Sequence, residues 1–206
     1  MGERGYHHGN LRAALLARAW DVVDREGVDE LSLRQLARDA GVSHGASGRH
    51  FRDRQALLDA VALQGFQQLN ATLAAAAGSS TSFGERFRAV AESYVAFAVA
   101  HPAILRLMYT AKHHPEATPE LLAASRVGMD ELQQMFAAGQ ASGDLRPGDP
   151  RAHALVAFAA VHGVAQLATD DLLGGVPWRD AAAATITFVW SGLVSPSRDE
   201  APHPRG

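Results

Sequence analysis

The chain has 206 residues, 47% hydrophobic and 20% charged, which suits one small module and one larger domain with a buried core. The absence of cysteine excludes a disulfide framework and a thiolate zinc site. A formal charge of −3 argues against indiscriminate attraction to polyanions, yet residues 32–54 alone hold five Arg against two Asp, a local basic face.

Taken in chain order, the sequence reads as helices throughout. Asn10 is placed to cap a helix from Leu11 to Glu26, with Leu15, Leu16, Ala19, Trp20 and Val23 on one face and Gly27 as the stop. Ser32 caps a second helix that carries Leu33, Leu36 and Ala37 and ends at Gly41. Ser43 opens a short third helix to Phe51, and Asp53 caps a fourth that keeps helical spacing through Leu57, Leu58, Val61, Phe66 and Leu69 to Ala77. Residues 78–82 form a polar linker at the natural boundary region. Ser82 and Glu85 have capping-box spacing, opening a helix to His101. Short helix 104–111 and loop 112–118 follow. Thr118 with Pro119 and Glu120 starts a helix to Gly143, and Asp149 with Pro150 starts another to Leu173. Residues 174–177 break it, and a last helix runs from Trp178 to Val194. The proline-containing tail from Ser195 is expected to be disordered. No stretch shows the period-two alternation of a strand.

Residues 31–51 carry the chemistry. Two short helices meet at a turn made possible by Gly41. Ala37 is small where the helices must cross, and Leu33, Leu36, Val42 and Phe51 form the apolar wedge between them. This is the layout of a helix-turn-helix, whose second helix enters the major groove of a duplex. Ser32, Ser43 and Arg54 suit phosphate oxygens. His44, Ser47 and Arg49 suit base edges, with His50 beside them, and Gln35 suits either. Phe51 reads as core.

The same stretch resembles the N-terminal domain of the tetracycline-repressor-like (TetR) family. The resemblance lies in Tyr6-His7-His8-Gly9-Asn10-Leu11-Arg12, the run from Leu31 to Ala37, Ala40-Gly41-Val42-Ser43, Arg49-His50-Phe51, Asp53-Arg54 and Leu57-Leu58. It covers residues 6–70. Val161-His162-Gly163 is similar to a Trp-His-Gly motif in one C-terminal branch of that family. The resemblance implies an all-α fold: a three-helix DNA-binding head over residues 9–70, a bundle of about six helices over 71–195 for ligand and dimer contacts, and a tail 196–206. It also implies a transcriptional regulator, a repressor released from a palindromic operator by a small molecule, that dimerises through its last two helices. Two positions depart from the family pattern. Gly48 stands where a phosphate-contacting Tyr is usual, and Arg54 where Lys is usual. The Gly48 departure keeps a second reading open, a helical small-molecule-binding protein with a degenerate head.

Arg106, Met108, Tyr109, His113 and His162 offer polar handles on apolar walls and are the candidate ligand contacts. His7-His8 and His113-His114 are adjacent pairs that point apart on regular structure, so no metal or other cofactor is expected. No catalytic constellation is visible, so no enzymatic activity is expected either. The N-terminus has no apolar signal core, and the uncharged stretches 154–169 and 181–197 are interrupted and short, so a cytoplasmic location without a membrane span is expected. Those stretches read as helices buried between subunits.

Overall fold

The structure, a computed structural model, describes residues 8–80 and 82–194, apart from the side chains of residues 8–10 and 44. Among these, nine α-helices run in order: α1 (His8–Glu26), α2 (Leu33–Asp39), α3 (His44–Gly48), α4 (Arg54–Ala77), α5 (Phe83–Ala100), α6 (Pro102–Ala111), α7 (Pro119–Ser142), α8 (Pro150–Thr169) and α9 (Trp178–Leu193). A 3-10 turn, Val28–Glu30, joins α1 to α2. The only strand-like feature described is an isolated antiparallel bridge between Leu145 and Val194. The tail from Ser195 lies outside the described residues. Contacts divide the chain into two units, one of residues up to Asn70 with Ala100–Arg126, the other of Ala71–Val99 with Val127 onward.

In the first unit, local signals set the element ends. The Ser32 hydroxyl accepts the Gln35 N–H at 3.4 Å, and the Ser43 hydroxyl accepts the Ala46 N–H at 3.2 Å. Gly41, at φ 66°, lets Val42 N–H reach back to Ala37 O at 2.9 Å and Gly41 N–H to Arg38 O at 3.0 Å. That double closure is a Schellman motif, and it turns the chain from α2 into α3. Asp53 accepts the Ala56 N–H at 2.8 Å and so starts α4. Leu15, Ala19, Val23, Leu36, Ala37, Phe51 and Leu57 are buried. Of the expected wedge, Leu36 and Phe51 are interior while Leu33 and Val42 are half-buried. α1 begins at His8, so Asn10 lies inside its first turn instead of capping it. α3 stops at Gly48, three residues short of Phe51, where two glycines weaken a helix too brief to absorb them.

α6 packs on α1. The Trp20 ring meets the His101 ring edge-on at 5.5 Å, and His101 Nδ1 lies 2.9 Å from Asp24 Oδ2. Met108 sits against Gly65, where any Cβ would come within 2.6 Å of its sulfur. Glycine there permits the close crossing of α4 and α6.

In the second unit, Phe83 and Phe87 stack on Trp190 and meet Phe136 edge-on, with ring centroids 5.8–6.3 Å apart. α8 and α9 pack extensively on each other. The capping box forms only in half: Ser82 accepts the Glu85 N–H at 3.2 Å, but the Glu85 carboxylate accepts from the Ser80 hydroxyl. Hydrogen bonds from Ser80 and Ser82 hold this exposed carboxyl below the usual glutamate value. α8 ends at Thr169, four residues before Leu173, because Asp171 turns left-handed at φ 56° and Leu172 N–H closes on Leu167 O at 2.8 Å.

The uncharged stretch 154–169 is part of a longer helix than it suggests by itself. Measured from Pro150 instead of Ala154, α8 has 20 residues with a most apolar window of mean hydropathy 1.4, long and apolar enough to cross a bilayer. The uncharged stretch alone undercounted it, because Pro150, Arg151 and His153 belong to the same helix.

Candidate nucleic-acid interface

α2 and α3 form the bent pair that residues 31–51 foretold. The caps leave useful chemistry at the surface. A serine hydroxyl that accepts a backbone N–H can still donate its own O–H, so exposed Ser32 and Ser43 each keep a donor at a helix N-terminus. Arg49 is the C-cap of α3 and is exposed. His50 is half-buried beside it. The His44 side chain lies outside what the structure describes, though its backbone is the first residue of α3.

Three of the expected contacts are placed differently. Ser47 is 0% exposed, so it packs inside the head and cannot meet a base edge in this arrangement. Four residues before the buried Phe51, it lies on the same inward side. Arg54 donates from Nε to the Leu31 carbonyl at 3.0 Å and from Nη2 to the Val28 carbonyl. Its fork ties the start of α4 to the turn before α2, which is a positioning task. Gln35 is engaged at both ends: its amide donates to Asp39 Oδ1 at 2.6 Å and its carbonyl accepts from Arg38.

Two cations were not singled out from the sequence. Arg12 on α1 lies over the Phe51 ring, 5.2 Å from its centroid, and Arg34 is exposed on α2. Arg12 could have been found from its place within the resembling Tyr6–Arg12 stretch. Arg34 lies next to Gln35, with no periodic signal to mark it. Arg52 is shared between Asp53 at 3.0 Å and Glu116 at 3.5 Å.

The candidate ligand contacts are divided between the two units. Met108 is fully buried core. Tyr109 is half-buried, edge-on to Phe66 at 6.2 Å, with the Lys112 ammonium 4.6 Å over its ring. Burial lowers the pKa of that lysine from its ordinary value. His113 is exposed in the loop after α6. Arg106 lines a cleft of about 400 Å³ together with Val28, Asp29, Gln55, Leu107 and His114. His162 belongs to the other unit, where its Nδ1 lies 2.7 Å from the buried Tyr94 hydroxyl and its ring stacks on Phe158 at 5.3 Å. Periodicity could not separate these, because which stripe of α6 faces inward is a tertiary fact.

Comparison with known proteins agrees with this geometry. Residues 15–61 match the family described as bacterial regulatory proteins, tetR family, and residues 87–191 match the tetracyclin repressor-like C-terminal domain. A structure of a protein of unknown function from Rhodococcus sp. RHA1 is similar at 48% identity and TM-score 0.87, covering 94% of this chain and 100% of that one. A bacterial regulatory protein in the tetR family from Rhodococcus RHA1 shares the fold at 21% identity and TM-score 0.71, over 91% of this chain and 98% of that one. The TetR family transcriptional regulator PfmR from Thermus thermophilus does so at 17% identity and TM-score 0.68, over 86% and 97%. No curated relative matches the chain.

Proposed function

Because the chain belongs to the TetR family of DNA-binding bacterial regulators, we propose that it is a repressor released from a palindromic operator by a small molecule. The observation that carries the reading is the capped α2–α3 pair with Arg49 exposed at its outer end. In the proposed complex Ser32 and Ser43 hold phosphates at helix N-termini, Arg34 adds charge, and Arg49 reads a base edge with His44 and His50 beside it. Residues 9–70 bind DNA, while 71–195 supply the dimer seam and ligand contacts.

The seam is drawn from α8 and α9. Leu155, Val156, Leu167 and Phe188 are 59%, 63%, 44% and 82% exposed, an apolar surface of a kind that monomers rarely leave to water. A second copy covers it in a four-helix seam, and two-fold symmetry then sets the recognition helices about 34–36 Å apart, or a multiple of that, on one face of the duplex. Such a dimer also accounts for the apolarity of α8 without a bilayer, in keeping with a cytoplasmic protein.

The test is a fluorescence-anisotropy titration against palindromic fragments selected from the host's own genomic DNA. Affinity should fall steeply with salt, and Arg49→Ala should cost about 1–3 kcal/mol per base contact and erase the preference for the selected sequence. Gly48 favours a second reading, a small-molecule-binding protein with a degenerate head, and absence of binding even at low salt would support that instead.

A further inference from the structure

Three elements of the second unit meet around a cleft of about 370 Å³: the start of α5, the loop after α7 and the end of α9. The volume lies within the range of small-molecule sites. The loop is tied to α9, because Leu145 bridges Val194 and the Arg146 N–H donates to Leu193 O at 3.0 Å, and this sets Asp144 at the rim. Ile186 and Trp190, four residues apart on α9, share the face turned to the cleft. Gly84 lets the indole lie against the backbone of α5, since a Cβ there would stand 3.0 Å from its six-membered ring. Trp190 in turn stacks on Phe83 and Phe87, which also line the cleft, so the floor is aromatic.

The charges of the lining do not balance. Glu85 and Asp144 each bring a carboxylate, and the partners of both are neutral hydroxyls, Ser80 and Ser82 for Glu85 and Ser142 for Asp144 at 2.6 Å. The serine contacts hold the Glu85 pKa below its ordinary value, so this group is anionic at neutral pH. Arg88 is the cation of the lining; it is exposed and makes no ion pair with either acid among the described residues. Two carboxylates against one guanidinium leave a single negative charge in excess. Ring faces attract cations, and that of tryptophan does so most strongly. Floor and rim therefore favour the same chemistry, while Arg88 opposes a second positive charge on the ligand.

We propose that the cleft binds a small organic monocation, its charge between Glu85, Asp144 and the Trp190 ring and its apolar body on Phe83 and Ile186, and that occupancy changes self-association of the chain. The link runs through α9. Phe188, two residues before Trp190 and 82% exposed, lies on the opposite side of that helix, within the seam drawn above. A ligand against Trp190 thus loads the helix whose far side meets the second copy, and the effect of each binding event on the other is reciprocal. This part rests on the proposed dimer; the binding site itself does not.

The experiment titrates the full chain with benzyltrimethylammonium by isothermal calorimetry at neutral pH, beside benzyl alcohol as a neutral probe and phenylacetate as an anionic one. The cation should bind at millimolar concentration, about tenfold tighter than the alcohol, and the anion should not bind. Substitutions at the exposed charged positions should act with opposite signs. Glu85→Gln combined with Asp144→Asn should remove the preference for the cation, whereas Arg88→Gln should tighten its binding about threefold. Fluorescence-detected sedimentation over a concentration series reaching nanomolar, with and without saturating cation, should show at least about a fivefold change in dimer affinity. No binding of the cation, or binding indifferent to the removal of either sign of charge, overturns the site. Cation binding that leaves dimer affinity unmoved overturns the coupling. A chain that binds the cation yet stays monomeric throughout leaves the site standing and sinks the proposed seam instead.

Discussion

Replacing Gly48 by alanine isolates the weakest local choice in the recognition helix. Gly48 is the last residue of a five-residue α3, and a Cβ built there meets nothing within 4 Å. Alanine therefore adds no clash and removes backbone freedom worth about 1 kcal/mol. If α3 is already formed in the free protein, the gain appears as stability, an increase of about 2–4 °C in the melting temperature for a chain of this size. If α3 orders only on docking, the gain appears as affinity. Two heads on one operator then double it to about 2 kcal/mol, roughly thirtyfold. Thermal melts and operator titrations on the same samples partition the gain, and amide exchange at residues 45–48 reports the ordering directly. A variant that melts lower than its parent would refute the reasoning, since it would require a left-handed backbone or a close neighbour at Gly48. Gly48→Tyr extends the test: its Cβ meets no neighbour, and a hydroxyl reaching phosphate should raise affinity at low salt more than alanine does.

Asp171 holds a left-handed conformation at the end of α8, where its acid also opposes the helix dipole, so Asp171→Gly should stabilise the protein by about 1 kcal/mol in guanidinium unfolding. Glu85, with its folded pKa below the ordinary value near 4.5, contributes stability that is present above that value and lost as pH falls through the folded pKa. Glu85→Gln should flatten the acid limb of a stability–pH curve by lowering stability slightly at neutral pH while leaving it nearly unchanged below the folded pKa; an unaltered limb would show that the Ser80 and Ser82 contacts carry no linkage.

The head was legible because its signals are local. Ser32, Gly41, Ser43 and Asp53 each form the bond or turn their residue type favours within three to five positions, and no tertiary partner competes. Ser47 was misjudged by its polarity, although its spacing from Phe51 already put it on the buried face. Arg54 could not be read at all, because the carbonyls it clamps lie 23 and 26 positions away. The same holds for α6, where sequence marks Arg106 and Met108 alike as candidates and only the packing of α1 and α4 sends one to a cleft and the other to the core. At Ser82–Glu85 the local rule was half right, since Ser80, two residues upstream of the box, intercepts the glutamate.

The charge distribution takes on its meaning only with these contacts in place. A chain of net −3 can approach a polyanion if the acids beside its recognition helix are already occupied. Within residues 32–54 there are two, and both are: Asp39 takes Gln35 at 2.6 Å and Arg18 at 3.5 Å, while Asp53 caps α4 and pairs with Arg52 at 3.0 Å. Of the five arginines there, Arg38, Arg52 and Arg54 hold partners within the protein, whereas Arg34 and Arg49 make no ion pair among the described residues and remain exposed. The intramolecular pairs thus consume the window's negative charge and leave its positive charge on exposed Arg34 and Arg49, the two cations that the proposed complex sets against a groove and its flanking phosphates.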